Sequence, residues 1–170
     1  MGKTTNDPYV TNQIFENQKG YWKEKLKGEV AMSSFPTDKS RVLLKEYKKE
    51  IVKLKFPDEL VRDVFRISKN SELGTYILLL SGIMYLVYKY TDNEDVVIGT
   101  PIINMGGDEE TINQLLTLRK KINSQISFRD WINEVKGVVV EALQNQEIPY
   151  QKILQENKIL LEDEKCPCSQ

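Results

Sequence analysis

The spacing of apolar residues divides the chain into helical and extended stretches. Ile14, Phe15, Gln18, Trp22 and Leu26 recur at near-helical intervals over residues 12–27, and Gly28 is a natural stop. Residues 31–40 contain Pro36 and read as a loop. Over residues 46–56 the period changes to two: Val52, Leu54 and Phe56 point one way, Lys53 and Lys55 the other, which predicts a half-buried strand. Pro57, Asp58 and Glu59 then open a helix ending near Asn70, with Leu60, Val61, Val64, Phe65 and Ile67 as its apolar stripe.

Residues 71–90 predict a second helix that is apolar on nearly every side, from Tyr76 to Tyr88, closed by Lys89. The apolar run is short for a bilayer and reads as a buried core helix. Residues 95–103 predict a central strand; at Pro101, which has no N–H, regular pairing should fail or the strand should border a gap. A turn at 105–108 leads to a short strand over 115–122. Ser127 and Asp130 form a capping-box-like start for a helix running to about Asn145. Its apolar face is Phe128, Trp131, Ile132, Val135, Val138, Val139, Ala142 and Leu143. Pro149 begins a last short helix through Ile153 and Leu154, and an acidic tail follows. The order predicts an α/β layer arrangement with a thin sheet covered by helices. Such a sheet has open edges, which invite another chain.

Composition narrows the function. The 170 residues carry 24 Lys and Arg against 25 Asp and Glu, a net charge of -1. That balance argues against nucleic-acid binding. Cys166 and Cys168 are no disulfide framework and fit a reduced, cytoplasmic setting. They would make half a zinc site at best, so no metal site is expected. No secretory signal opens the chain, and no membrane association is expected. There is no histidine. A Ser-His-Asp or Cys-His system and a histidine general base are therefore excluded, and no catalytic residue can be named. The acidic runs 108–110 and 162–164 read as solvated surface. Lys45, Lys48, Lys49, Lys53 and Lys55 make a basic strand, suited to guarding a sheet edge or to steering an acidic partner.

Several segments resemble one family in a consistent order. Tyr21-Trp22-Lys23-Glu24-Lys25-Leu26-Lys27-Gly28 is similar to the Tyr-Trp-x-x-x-Leu-x-Gly helix of the condensation domains of nonribosomal peptide synthetases. Phe35-Pro36-Thr37-Asp38 resembles that family's Leu-Pro-Thr-Asp, and residues 56–60 its Leu-Pro-x-x-Leu. The apolar helix from Thr75 to Tyr90 has its counterpart there too. Asp95-Val96-Val97-Ile98-Gly99-Thr100-Pro101 is similar to Asp-Ile-Val-Val-Gly-Thr-Pro, and residues 145–154 resemble His-Gln-Asp-x-Pro-Phe-Glu-Lys-Leu-Val. The departures are as informative. Nothing upstream of the Tyr-Trp helix supplies the family's His-His-x-x-x-Asp-Gly, and of its Gly-x-Phe-Val-Asn-Thr region only Leu118-Arg119 still fits.

The resemblance implies the α/β sandwich of chloramphenicol acetyltransferase, here one lobe only, the carboxy-terminal one, truncated or degenerate. Residues 1–11 would be a flexible lead, 12–160 the lobe and 161–170 a tail. It implies a wall of the tunnel in which carrier-bound aminoacyl and peptidyl thioesters form an amide bond. Gly99, Thr100, Pro101, Gln146 and Pro149 would line that tunnel. Read from the residues alone, Gly99 to Pro101 is rather a core strand reaching its turn, and Gln146 and Pro149 a helix end and a new start. No cofactor would be bound. Phosphopantetheine would arrive on partner carrier proteins, and a histidine-bearing amino-terminal lobe would be the other partner. The chain alone would be inactive. The alternative is a non-catalytic interaction module, binding a synthetase or forming homo-oligomers through its sheet edges.

Overall fold

The computed structural model describes residues 8–28, 30, 33, 35–36, 50–101, 115–149 and 152–153. Helix α1 (Pro8–Lys25) begins four residues earlier than the apolar period predicts. Proline suits a first helical turn because its missing N–H has no partner there anyway. After α1 the backbone turns through Gly28 at φ 83°, the left-handed conformation that favours glycine.

Helix α2 (Asp58–Ser68) follows Pro57, with Asp58 and Glu59 in its first turn. It stops where Lys69 and Asn70 both turn left-handed, and the Asn70 N–H donates back to the Phe65 carbonyl at 2.9 Å. Helix α3 (Glu72–Thr91) starts at once: the Ser71 hydroxyl accepts from the Gly74 N–H at 3.2 Å. The two helices meet closely at Gly74, where a Cβ would lie 2.7 Å from the Ser68 carbonyl oxygen. The Thr75 hydroxyl donates to the Ser68 hydroxyl at 2.9 Å across the same corner.

Strands β1 (Asp95–Pro101) and β2 (Leu115–Lys121) pair antiparallel, from Asp95 opposite Lys121 to Pro101 opposite Leu115. The register continues through Pro101, opposite Leu115, so pairing does not fail there; residues 102–114 lie outside the described residues. Helix α4 (Phe128–Gln144) has its capping box: the Ser127 hydroxyl accepts from the Asp130 N–H at 3.2 Å and donates to the Asp130 carboxylate at 2.6 Å.

The core lies where α1, α3 and α4 cover this sheet. Met84, Val96, Leu118, Val135 and Val139 are fully buried, with Trp22, Leu26 and Trp131 around them. Trp131 reaches across to α3, its indole N–H donating to the Ser81 carbonyl at 3.0 Å. Helix α3 is long and apolar enough to cross a membrane by length and composition. Here Ile77, Leu80, Ser81, Met84, Val87 and Tyr88 bury one face of it in the protein core.

The strand expected over residues 46–56 is not formed at 50–56, which are irregular and exposed; 46–49 lie outside the described residues. Val52 and Leu54 are each 84% exposed, and Lys53 between them is exposed as well. Alternation specifies a strand only where a neighbour supplies ladder bonds and one face meets a core. Among the described residues this segment has neither. The described sheet is therefore two-stranded. One site on its β1 edge is taken, since the Val97 N–H donates to the Ser33 hydroxyl at 2.9 Å. The turn at 105–108, both acidic runs, the cysteines, Leu154 and the tail lie outside the described residues.

Candidate functional site

The residues singled out for a tunnel wall fall in two places. Gly99 is exposed near the end of β1, opposite Thr117, and Pro101 is exposed opposite Leu115. Thr100 between them points inward, is buried, and shares a 2.9 Å hydroxyl hydrogen bond with Tyr76 of α3. Burial raises the Tyr76 phenol above its ordinary value, and the bond to Thr100 offsets part of that. The strand end is thus pinned through its middle residue, leaving Gly99 and Pro101 to face outward.

The second group sits past the end of α4. Gln146 is half-buried and Pro149 exposed. The Pro149 carbonyl accepts from the N–H groups of Lys152, at 2.9 Å, and Ile153, at 3.2 Å, which gives the short helical turn expected there. Helix α1 clamps this corner. The Gln18 carboxamide, buried, donates to the Gln144 carbonyl at 3.4 Å and the Glu147 carboxylate at 3.3 Å, and accepts from the Glu147 N–H at 3.1 Å. The Trp22 indole donates to the Asn145 carbonyl at 2.7 Å. The two groups therefore rest on different supports, Thr100 on α3 and the 144–147 corner on α1.

A third feature has no counterpart in the sequence reading. Between the end of α1 and the start of β1 lies an open groove of about 590 Å³, lined by Tyr21, Glu24, Lys25, Lys27, Asp95, Arg119, Lys120, Lys121 and Glu141. Arg119 organises it. Its guanidinium grips Asp95 through Nε at 3.0 Å and Nη2 at 2.6 Å, and its Nη1 donates to the Lys27 carbonyl at 2.9 Å. The hydrogen bonds from Arg119 hold the Asp95 carboxyl below its ordinary range, and the partnership raises Arg119 further. Lys25 pairs with Glu141 at 3.0 Å. The Tyr21 hydroxyl is buried without a hydrogen-bond partner among the described residues, and burial, then the Glu141 charge, push its phenol to about 12.

All four of these resolved shifts run away from neutrality: Asp95 downward, Tyr21, Tyr76 and Arg119 upward. None places a proton donor or acceptor near pH 7, where general acid–base chemistry works best. No group of three or more metal-ligating side chains occurs among the described residues. This arrangement holds backbone segments and can bind and orient a ligand. Two of its anchors carry a legible signal. Gln18 is the one polar member of the apolar stripe on α1, and Leu118-Arg119 is the surviving remnant of an otherwise altered motif. Tyr76 carries none, being one of many apolar or aromatic residues on α3.

A model described as the condensation domain matches residues 5–165. A linear gramicidin synthase of Brevibacillus parabrevis is 30% identical over 155 residues, which is 87% of this chain and 3% of that protein. Bacitracin synthase 1 of Bacillus licheniformis is 28% identical over 158 residues, 89% of this chain and 3% of that protein. Among solved structures, the X-domain in complex with OxyB from teicoplanin biosynthesis superposes with a TM-score of 0.70 at 18% identity, covering 86% of this chain and 34% of the other. The first condensation domain of the calcium-dependent antibiotic synthetase, in complex with a substrate analogue, gives 0.64 at 17%, covering 88% and 33%. This chain thus spans about 3% of the length of those synthases and about a third of those solved chains. The match over nearly all of the chain and the shared α/β fold place it in one family: it belongs to the condensation domains of nonribosomal peptide synthetases and has the chloramphenicol acetyltransferase-like fold of one lobe.

Proposed function

We propose that this chain supplies one wall of a condensation tunnel, in which an amide bond forms between aminoacyl and peptidyl thioesters carried on phosphopantetheine arms. On this reading it does not catalyse alone. The observation that carries the proposal is the β1 terminus. Gly99 and Pro101 face outward on a strand end that Thr100 and Tyr76 hold rigidly, the support a passing thioester arm needs. Gln146 and Pro149 form the second part of the wall, held through the Gln18 clamp on their corner. Amide formation needs a base for the attacking amine, and this sequence has no histidine to serve. The partners are two carrier proteins and a histidine-bearing amino-terminal lobe, in a reducing cytoplasm. The groups this chain contributes bind, orient and exclude water.

The test is condensation between two loaded carrier proteins, followed by mass spectrometry of the acceptor arm. The chain alone should give no product, and adding a His-His-x-x-x-Asp-Gly-bearing lobe should give one. Thr100→Val should lower that yield while leaving the fold intact by circular dichroism. Product from the chain alone would overturn the inactive reading. Failure of every histidine-bearing lobe from related synthetases to restore it would overturn the tunnel reading.

A further inference from the structure

The groove between the end of α1 and the start of β1 carries more positive charge than its own acids neutralise. Five cations line it, Lys25, Lys27, Arg119, Lys120 and Lys121, against three acids, Glu24, Asp95 and Glu141. Asp95 is closed by Arg119, and Glu141 is paired with Lys25 at 3.0 Å. Glu24 meets Lys27 only at 3.7 Å, with both side chains exposed. Lys120 pairs outside the lining, with Glu134 at 2.8 Å. Lys121 is exposed opposite Asp95 in the ladder and makes no ion pair among the described residues. The whole chain has a net charge of -1, so this positive excess is local.

Helix α4 sets the spacing of two of these ammoniums. Glu134 and Glu141 lie two turns apart, about 10 Å along the helix. They hold Lys120 from β2 and Lys25 from α1 at about that separation. An ammonium has three N–H donors, and each of these has one carboxylate on it, so each can take a second acid. We propose that the groove docks an acid-rich helix of a partner protein. Its carboxylates at i and i+7 would share Lys25 and Lys120, and further acids on the same face would meet Lys27 and Lys121. A partner helix with acids on one face repeats them at the same two-turn interval that α4 imposes on the lysines.

A compact anion such as phosphate fits less well, because lysines tied to acids about 10 Å apart do not converge on one point. Arg119, the side chain best shaped for a phosphate, is already occupied by Asp95 and the Lys27 carbonyl. An apolar partner face fits no better, since Tyr21 is the one aromatic or aliphatic residue in the lining. Its hydroxyl, buried without a hydrogen-bond partner among the described residues, leaves one more donor in that wall. The groove lies at the Asp95 end of β1, and Gly99 is four residues further on, about 14 Å along the strand. Docking there uses no tunnel residue and stands apart from the tunnel reading.

Fluorescence anisotropy on the full chain tests the docking, with a labelled helical peptide of about 18 residues bearing glutamates at i, i+3, i+4 and i+7. At about 50 mM salt it should bind with a Kd of about 100 μM, and its glutamine counterpart about tenfold more weakly. Lys27→Glu combined with Lys121→Glu should weaken the glutamate peptide about tenfold. Lys53→Glu combined with Lys55→Glu makes the same change in net charge on the exposed segment before α2, and should shift binding by less than about twofold. Circular dichroism checks the fold of both variants; if the groove variant loses helix, Lys121→Gln decides in its place, with a weakening of about threefold. No binding of the glutamate peptide at low salt overturns the proposal. So does equal weakening by the two double variants, or equal binding of the glutamine peptide. Displacement of the peptide by inorganic pyrophosphate at micromolar concentration also overturns it, by showing that the cations converge.

Discussion

Replacing Arg119 with methionine keeps the bulk of the side chain and removes its charge and donors. In the folded protein that strands the Asp95 carboxylate, whose side chain is 21% exposed, and removes a donor from the Lys27 carbonyl. Breaking a fully buried pair costs about 3–5 kcal/mol, and an exposed pair contributes about 1 kcal/mol or less. With exposures of 13% for Arg119 and 21% for Asp95, this pair lies between those limits, so the loss should be about 2–3 kcal/mol. That is a large part of the roughly 5–15 kcal/mol that stabilises a domain. Urea unfolding followed by tryptophan fluorescence measures it, because Trp22 and Trp131 are both buried and should respond on unfolding.

The double-mutant cycle with Asp95→Asn isolates the pair, and a coupling of about 1–2 kcal/mol is expected. The pH dependence provides a second reading with a definite sign. The Asp95 carboxyl titrates below its ordinary value of 3.8 when folded, so the pair stabilises fully above that value. The stabilisation is lost as pH falls through the lower folded value. Arg119→Met should therefore have a flatter acid limb than the parent protein. A coupling under about 0.3 kcal/mol, or identical acid limbs, would show that the pair is solvated and that β1 and β2 are held together without it.

The remaining predictions concern single sites. Trp131→Phe removes the donor to the Ser81 carbonyl and leaves a void, and should lower stability by about 2 kcal/mol, read as a fall in Tm of several degrees. Gly74→Ala should destabilise by about 1–3 kcal/mol in urea although alanine favours helix, because its Cβ would sit 2.7 Å from the Ser68 carbonyl; a gain would mean that α2 and α3 separate freely. Ser127→Ala should cost about 1 kcal/mol through loss of the α4 cap, with Ser127→Asp recovering most of it. In an ultraviolet titration of the eight tyrosines, Tyr21→Phe should remove a transition near pH 12 and leave the curve below about pH 11 unchanged.

Local signals are legible in the sequence with little loss. The Ser127–Asp130 box, the stop at Asn70 after α2 and the apolar run of β1 each lie within a few consecutive residues, so short stretches of sequence contain them whole. The motif order from Tyr21 to Ile153 points to the family for the same reason. The candidate wall is legible in part: Gly99, Thr100 and Pro101 stand out as punctuation at a strand end. The Tyr76 contact that orients Thr100 does not, because it joins residues 24 apart.

What the sequence by itself determined is the helices, the two paired strands, most of their caps and stops, and the absence of an imidazole. Helical and extended periods, caps and stops depend on neighbours within one or two turns. Only the tertiary structure decided which apolar surfaces are covered. Val52 and Leu54 alternate as faithfully as a buried strand does, yet they stand in solvent because no neighbouring edge among the described residues receives them. Tertiary packing also turned Gln18 from a flaw in an apolar stripe into a clamp on the 144–147 corner, 126 and 129 residues away. Such contacts depend on where the chain returns to itself, and no local window contains that information.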